Sequence, residues 1–154
     1  MISFIVYGQA KPAGALQIGR TGDGRSFLHH RSSKSLAEWK AAIKREAAEA
    51  THGSPYTGAV ALDARFYVQR PAGHYGKRGL RPSAPAYPIK RSVGDIDKLA
   101  RALLDALTGV SFLDDSQVVD LKLSKRYADD GPVHIAVQIR QLGDGLDVLL
   151  AEAL

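Results

Sequence analysis

Residues 94–120 begin Gly94-Asp95-Ile96-Asp97-Lys98-Leu99-Ala100-Arg101-Ala102-Leu103-Leu104-Asp105-Ala106-Leu107 and, past Gly109, end Phe112-Leu113-Asp114-Asp115-Ser116-Gln117-Val118-Val119-Asp120. Ile96, Leu99, Leu103 and Leu107 share one helical face that Ala100 and Leu104 widen, so the period predicts a helix opened by Asp95 or Asp97 and closed by Gly109. Asp114 and Asp115 follow this apolar segment and lead directly into an alternating run from Val118. A helix, turn and strand return of this kind brings the second pair of acids back toward the first. Asp95 and Asp97 are two residues apart, which on a continuous helix separates them by about 200°. They converge only if Asp95 sits before the helix starts, and a break at Gly94 with Asp as the preferred N-cap allows that.

Hard carboxylate oxygens gathered in this way suit Mg²⁺, with Mn²⁺ as a substitute, and neither Cys nor a well-spaced His pair offers a softer alternative. A cation held there would offset phosphate repulsion, activate a water and stabilise a leaving 3′-oxygen in phosphodiester cleavage. Asp97, Arg101 and Asp105 stand at i, i+4 and i+8, which by itself reads as a solvated salt-bridge stripe. Arg101, one turn from Asp97, can instead aim a fixed positive charge at a scissile phosphate.

Upstream, residues 70–94 hold four of the seven prolines, four glycines and no acid. This composition does not predict a packed element, and a long mobile basic loop over about residues 70–93 is expected, with Tyr75 and Tyr87 as candidates for stacking on bases. Before it, Val60, Leu62, Ala64, Phe66 and Val68 alternate along a half-buried strand. Leu36, Trp39, Ile43, Ala47 and Ala50 mark an earlier helix, capped by Ser33 or Ser35 and stopped by Gly53-Ser54-Pro55, with Trp39 in its core face. Ile2 to Gly8 reads as a strand, followed by short strands and tight turns through about Leu28. Adjacent His29 and His30 read as surface residues of a polar turn. Downstream, Val118 to Leu123 and Val133 to Ile139 alternate around the turn region Ala128 to Pro132, which predicts an antiparallel pair. Gly143 to Leu154 is expected to form a short terminal helix. The order of elements is that of an α+β chain.

The 154 residues fit one domain, 1–154, by the length prior. No apolar run is long enough to span a membrane as a helix, the N-terminal run lacks the features of a signal peptide, and the absence of Cys excludes disulfides and thiolate chemistry. A soluble protein of a reducing, cytoplasmic compartment is expected. The net charge of +5 conceals an asymmetry: residues 1–94 carry 15 Lys and Arg against 5 Asp and Glu, whereas residues 95–154 carry 6 against 11. A polyanion is drawn to the first part and repelled by the second unless cations neutralise some of its acids.

The motif over residues 94–126, closing with Lys122 and Lys125, resembles the core of the RusA family, Holliday junction resolvases of bacteria and their phages. The D-x-D-N-L-x-K, D-A-L and DD-x-Q-V pattern is followed in order, and the front half agrees more loosely through Tyr7-Gly8-Gln9-Ala10-Lys11-Pro12, a basic hairpin and the helix around Trp39. Two positions depart from the pattern: Lys98 replaces the family Asn, and Arg101 replaces the family Lys. Arg101 can serve as an electrostatic clamp but cannot transfer a proton. The resemblance implies a small mixed or antiparallel sheet packed with two main helices, and a homodimer acting on four-way DNA junctions by paired symmetric nicks. It implies that Asp95, Asp97 and Asp115, with Asp114 beside them, bind Mg²⁺, and that Arg101 joins the catalytic set. Lys11, Arg20, Arg25, Arg31, Lys34, Arg70, Lys77, Arg78, Arg81, Lys90 and Arg91 would contact phosphates, selecting junctions by shape and charge. Two alternatives stay open: a DNA-junction-binding protein without turnover, and a D-x-D enzyme acting on a sugar nucleotide.

Overall fold

A computed structural model describes residues 1–14, 16–30 and 34–143, of which 16–19 and 27–30 are described as backbone only. The sheet is built around β4 (Val60–Val68), whose inward residues Val60, Leu62, Ala64, Phe66 and Val68 are all buried. The expected alternation is therefore present, and each large apolar side chain removed from water there contributes about 1.5–3 kcal/mol before entropy is counted. On one side β4 pairs antiparallel with β8 (His134–Gln141), which pairs antiparallel with β1 (Ile2–Tyr7). On the other side it runs parallel to β7 (Val118–Tyr127), in the order β1-β8-β4-β7.

This order corrects one expectation. The alternating runs 118–123 and 133–139 do form β7 and β8, but they do not pair with each other, because β4 lies between them. The chain from β4 through a helix to β7 is a parallel crossover, and a crossover strand docks beside the strand that launched it. Alternation identifies each strand's buried face but says nothing about its neighbour.

Among the described residues, two helices cover the inward face of the sheet. Helix α1 (Lys34–Thr51) buries Leu36, Trp39, Ile43 and Ala47, as the period predicts, and stops where His52 and Gly53 take positive φ. Helix α2 (Ile96–Leu107) buries Leu99, Leu103 and Leu107 against α1 and the sheet. Phe112, fully buried, seals the base of the core. The outward sheet face, with Ile5, Tyr7, Asp63 and Arg65, stays in contact with solvent. A basic hairpin, β2 (Leu16–Arg20) and β3 (Ser26–His30), stands apart from this sheet. The expected terminal helix lies almost wholly in residues 144–154, outside the described residues, as do Ser33 and Arg31. No helix among the described residues is long and apolar enough to cross a membrane.

Residues 70–94 are more organised than their composition predicts. They contain two 3₁₀ turns, Ala72–His74 and Arg91–Val93, and a small hairpin of β5 (Tyr75–Gly76) and β6 (Gly79–Leu80). The anchor is Arg70. Its side chain is 4% exposed, donates to Asp129 through Nε at 2.5 Å and through Nη2 at 2.9 Å, donates to the Pro85 carbonyl at 2.9 Å, and lies 3.9 Å over the Tyr127 ring. Arg70 is therefore withdrawn from the set of expected phosphate contacts, since its guanidinium is buried against Asp129, the Pro85 carbonyl and the Tyr127 ring and is not presented to DNA. Its partner lies 59 residues away in sequence, beyond the reach of composition.

Candidate active site

The start of α2 is set by Gly94, whose φ of +93° suits glycine alone and whose absent Cβ would meet Pro12 at 3.0 Å. The close approach docks the segment after β1 onto the helix, where Ala13 N–H donates to the Lys98 carbonyl at 2.9 Å. Lys125, reaching over from β7, donates to the Gly94 carbonyl at 3.0 Å. The turn before α2 is thus held from both sides.

Of the two openers the sequence offered, Asp95 occupies the N-cap position, with extended backbone, but its side chain makes no cap hydrogen bond. It accepts instead from Lys98 Nζ at 2.7 Å. That hydrogen bond and charge, with Lys125 and Arg91 farther off, hold the Asp95 carboxyl below the usual carboxylate range, while the same contact raises the Lys98 ammonium. Pro12, Arg91, Gly94, Asp95 and Lys98 together line a pocket of about 440 Å³ at the helix start.

Asp97 faces a different space. Along α2, Asp97, Arg101 and Asp105 line a groove of about 620 Å³, together with Ile96, Ala100 and Leu104. Asp115 and, from β7, Leu121 and Leu123 form the opposite wall. The crossover connection is what makes this groove: it returns the chain after α2 to the strand beside the helix, so residues 18 apart in sequence face each other. Among the described residues no ion pair joins Asp97 to Arg101 or Arg101 to Asp105, so the expected salt-bridge stripe is not formed. Asp105 pairs with Lys40 of α1 at 2.6 Å. Arg101 stays exposed beside Asp97.

Asp114 and Asp115 part company. Asp114 caps the 3₁₀ turn Asp115–Gln117, accepting from Ser116 N–H at 3.0 Å, and hydrogen bonding from the Ser116 side chain and then from its N–H lowers the Asp114 pKa. Gln117 closes the capping box by accepting from Asp114 N–H at 2.9 Å, and donates to the carbonyls of Tyr56 and Gly58. With Asp114 committed to the turn, Asp115 is the one that faces the groove.

The four acids therefore do not form one group in this structure. Asp97 and Asp115 share a groove, Asp95 lies around the helix start against Lys98, and Asp114 is a cap. Among the described residues no three His, Asp or Glu side chains are grouped so as to hold a metal ion. The donor chemistry still fits a hard divalent cation: two carboxylates in a solvent-open groove, without sulfur or imidazole. Sequence reasoning missed the tie between Lys98 and Asp95, although their spacing of three was the available signal. It also missed Lys125 as the grip on Gly94, which only the strand order places there.

Of the expected phosphate contacts, Arg20, Lys77, Arg78, Lys90 and Arg91 are exposed and Lys11 is half-buried. Arg25 and Lys34 are exposed with loose pairings to Asp23 at 3.5 Å and Glu38 at 3.9 Å. Arg81 is exposed and donates to the Tyr75 carbonyl. Tyr75 and Tyr87 are both exposed, and Arg126 lies 5.1 Å over the Tyr87 ring.

A family profile described as Endodeoxyribonuclease RusA matches residues 11–140. The chain is also similar to the uncharacterized protein YqaN of Bacillus subtilis (strain 168), with 27% identity over 142 residues, covering 89% of this chain and 95% of that protein.

Proposed function

Because the chain belongs to the RusA family of endodeoxyribonucleases, we propose that it resolves four-way DNA junctions by paired symmetric nicks, as a homodimer that depends on Mg²⁺. The observation that supports this most is the sharing of one open groove by Asp97, Arg101 and Asp115. Asp97 and Asp115 would hold the cation, with Asp95 at the neighbouring helix start as a third acid. When bound, a divalent ion supplies charge neutralisation at the phosphate and a more acidic water. A guanidinium is a fixed positive charge and not a proton carrier, so the part of Arg101 would be to stabilise charge developing on the phosphate. Lys98, held by Asp95, would contact the phosphate from the other side of the helix start. The exposed cations of residues 77–91 would bind the flanking backbone through counterion release.

The test is incubation of the purified protein with synthetic four-way, three-way and linear DNA, with Mg²⁺ or with chelator. Junction-specific nicks that need the metal are expected. Asp97→Asn should abolish cleavage while retaining junction binding, and a variant that cuts at the parent rate removes Asp97 from the mechanism. The ion pair between Asp95 and Lys98 favours one rival reading, a junction-binding protein without turnover. Equal binding with and without Mg²⁺, and no product at any time, would establish it.

A further inference from the structure

Positive charge gathers around Asp95. Lys98 Nζ lies 2.7 Å from its carboxylate, Arg91 lines the same pocket, and Lys125 holds the Gly94 carbonyl next door. An acid at an N-cap ordinarily accepts from the backbone N–H groups of the first turn. Asp95 does not, and among the described residues the one hydrogen bond of its side chain is to Lys98. A single ammonium therefore keeps this carboxylate in the pocket at the helix start, apart from the groove that Asp97 and Asp115 share. We propose that Lys98 is an exchangeable latch: it holds Asp95 in the free protein, passes to a phosphate when DNA binds, and so opens Asp95 to a divalent cation. The inference rests on the proposed nuclease reading for that cation.

The charges set the order of events. A divalent ion arriving first meets Lys98, Arg91 and Lys125 around a carboxylate that is already neutralised, and like charges this close oppose it. A phosphate arriving first meets the same cations and one acid. The pocket has the room, about 440 Å³, and Lys98 has the freedom, since its side chain is 41% exposed and an exposed ion pair contributes little to stability. Lys125 lacks that freedom, being half-buried with its ammonium on the Gly94 carbonyl. Once Lys98 has moved to the phosphate, no described partner holds the Asp95 side chain, and the phosphate adds negative charge that favours the ion. DNA and metal then raise each other's affinity by the same factor, as linkage requires.

Calorimetric titration of the DNA-free protein with Mg²⁺ reads the latch from one side. Lys98→Met should bind the ion about three- to tenfold more tightly than the parent. Arg91→Met removes an equal charge from the same pocket, without an ion pair to Asp95 among the described residues, and should change the affinity by less than about twofold. In an Asp95→Asn background, Lys98→Met should gain nothing. Fluorescence anisotropy on a four-way junction in chelator reads the latch from the other side. There Asp95→Asn should tighten binding by about three- to fivefold in the parent, by freeing Lys98, and much less in Lys98→Met. Measurable but equal Mg²⁺ affinities for the parent and Lys98→Met, an equal gain from Arg91→Met, or additive effects of Asp95→Asn and Lys98→Met on DNA binding overturn the exchange. If no variant binds Mg²⁺, the metal of the proposed nuclease falls, and the chelator cycle, which contains no metal, decides the exchange by itself.

Discussion

Gly94 and Lys98 bear on the acids from opposite directions. Gly94 has to be glycine twice over, for its backbone angle and for the 3.0 Å approach of Pro12. Gly94→Ala should lower stability by about 1–3 kcal/mol, seen as a lower urea midpoint with an unchanged slope. Arg101 can be tested without disturbing the fold, since it is exposed. If its role is electrostatic, Arg101→Met should reduce cleavage by about 10²–10³-fold, and Arg101→Lys should recover much of the loss because the charge returns. Single-turnover rates on a four-way junction would separate the two, and equal rates for both variants would remove Arg101 from the reaction.

Among the elements, the clip between the segment after β4 and the segment after β7 makes a prediction about pH. Arg70 holds the Asp129 carboxyl below its ordinary value through a hydrogen bond. A carboxyl depressed in the folded state contributes stability that is fully present above its unfolded pKa, about 3.9, and is lost as pH falls through the folded value. The midpoint of thermal unfolding should therefore be level from neutrality to about pH 5 and fall below about pH 4. Asp129→Asn should lower the midpoint at pH 7, because it leaves the buried Arg70 charge without its partner, and should flatten the acid limb. This element was the least legible in the sequence. Residues 70–94 advertise Pro, Gly and charge, but the contacts that organise them, Arg70 to Asp129 and Tyr127, come from the far end of β7. The helices and β4 were legible because their own periodicity names the buried face. The pairing of β7 was not, because a strand's pattern is silent about which strand it joins. For the acids, the sequence left Asp95 or Asp97 as the opener of the helix; the structure puts Asp95 at the cap and Asp97 in the first turn, and hydrogen bonding divides their duties, as it does for Asp114 and Asp115.

For the whole molecule, the basic first part of the chain meets the acidic second part at the start of α2, where Arg91 shares a pocket with Asp95. Neutralising Arg78 and Arg81 together should weaken junction binding and reduce the dependence of log affinity on log salt by about 0.9 per lost phosphate contact, measured by fluorescence anisotropy across a salt series. An unchanged slope would take these two residues off the DNA. The sheet order has one more consequence, for the making of the protein. Among the described residues the only partner of β1 in the sheet is β8, so residues 2–7 wait for residues 134–139, the last of these strands to be synthesised. An apolar segment emerging from the ribosome thus has no mate until nearly every other element is out. Folding dominated by such distant closures runs on the scale of milliseconds to seconds, and a ribosome that stalls before β8 leaves Ile2, Phe4 and Val6 as a sticky end that chaperones must hold.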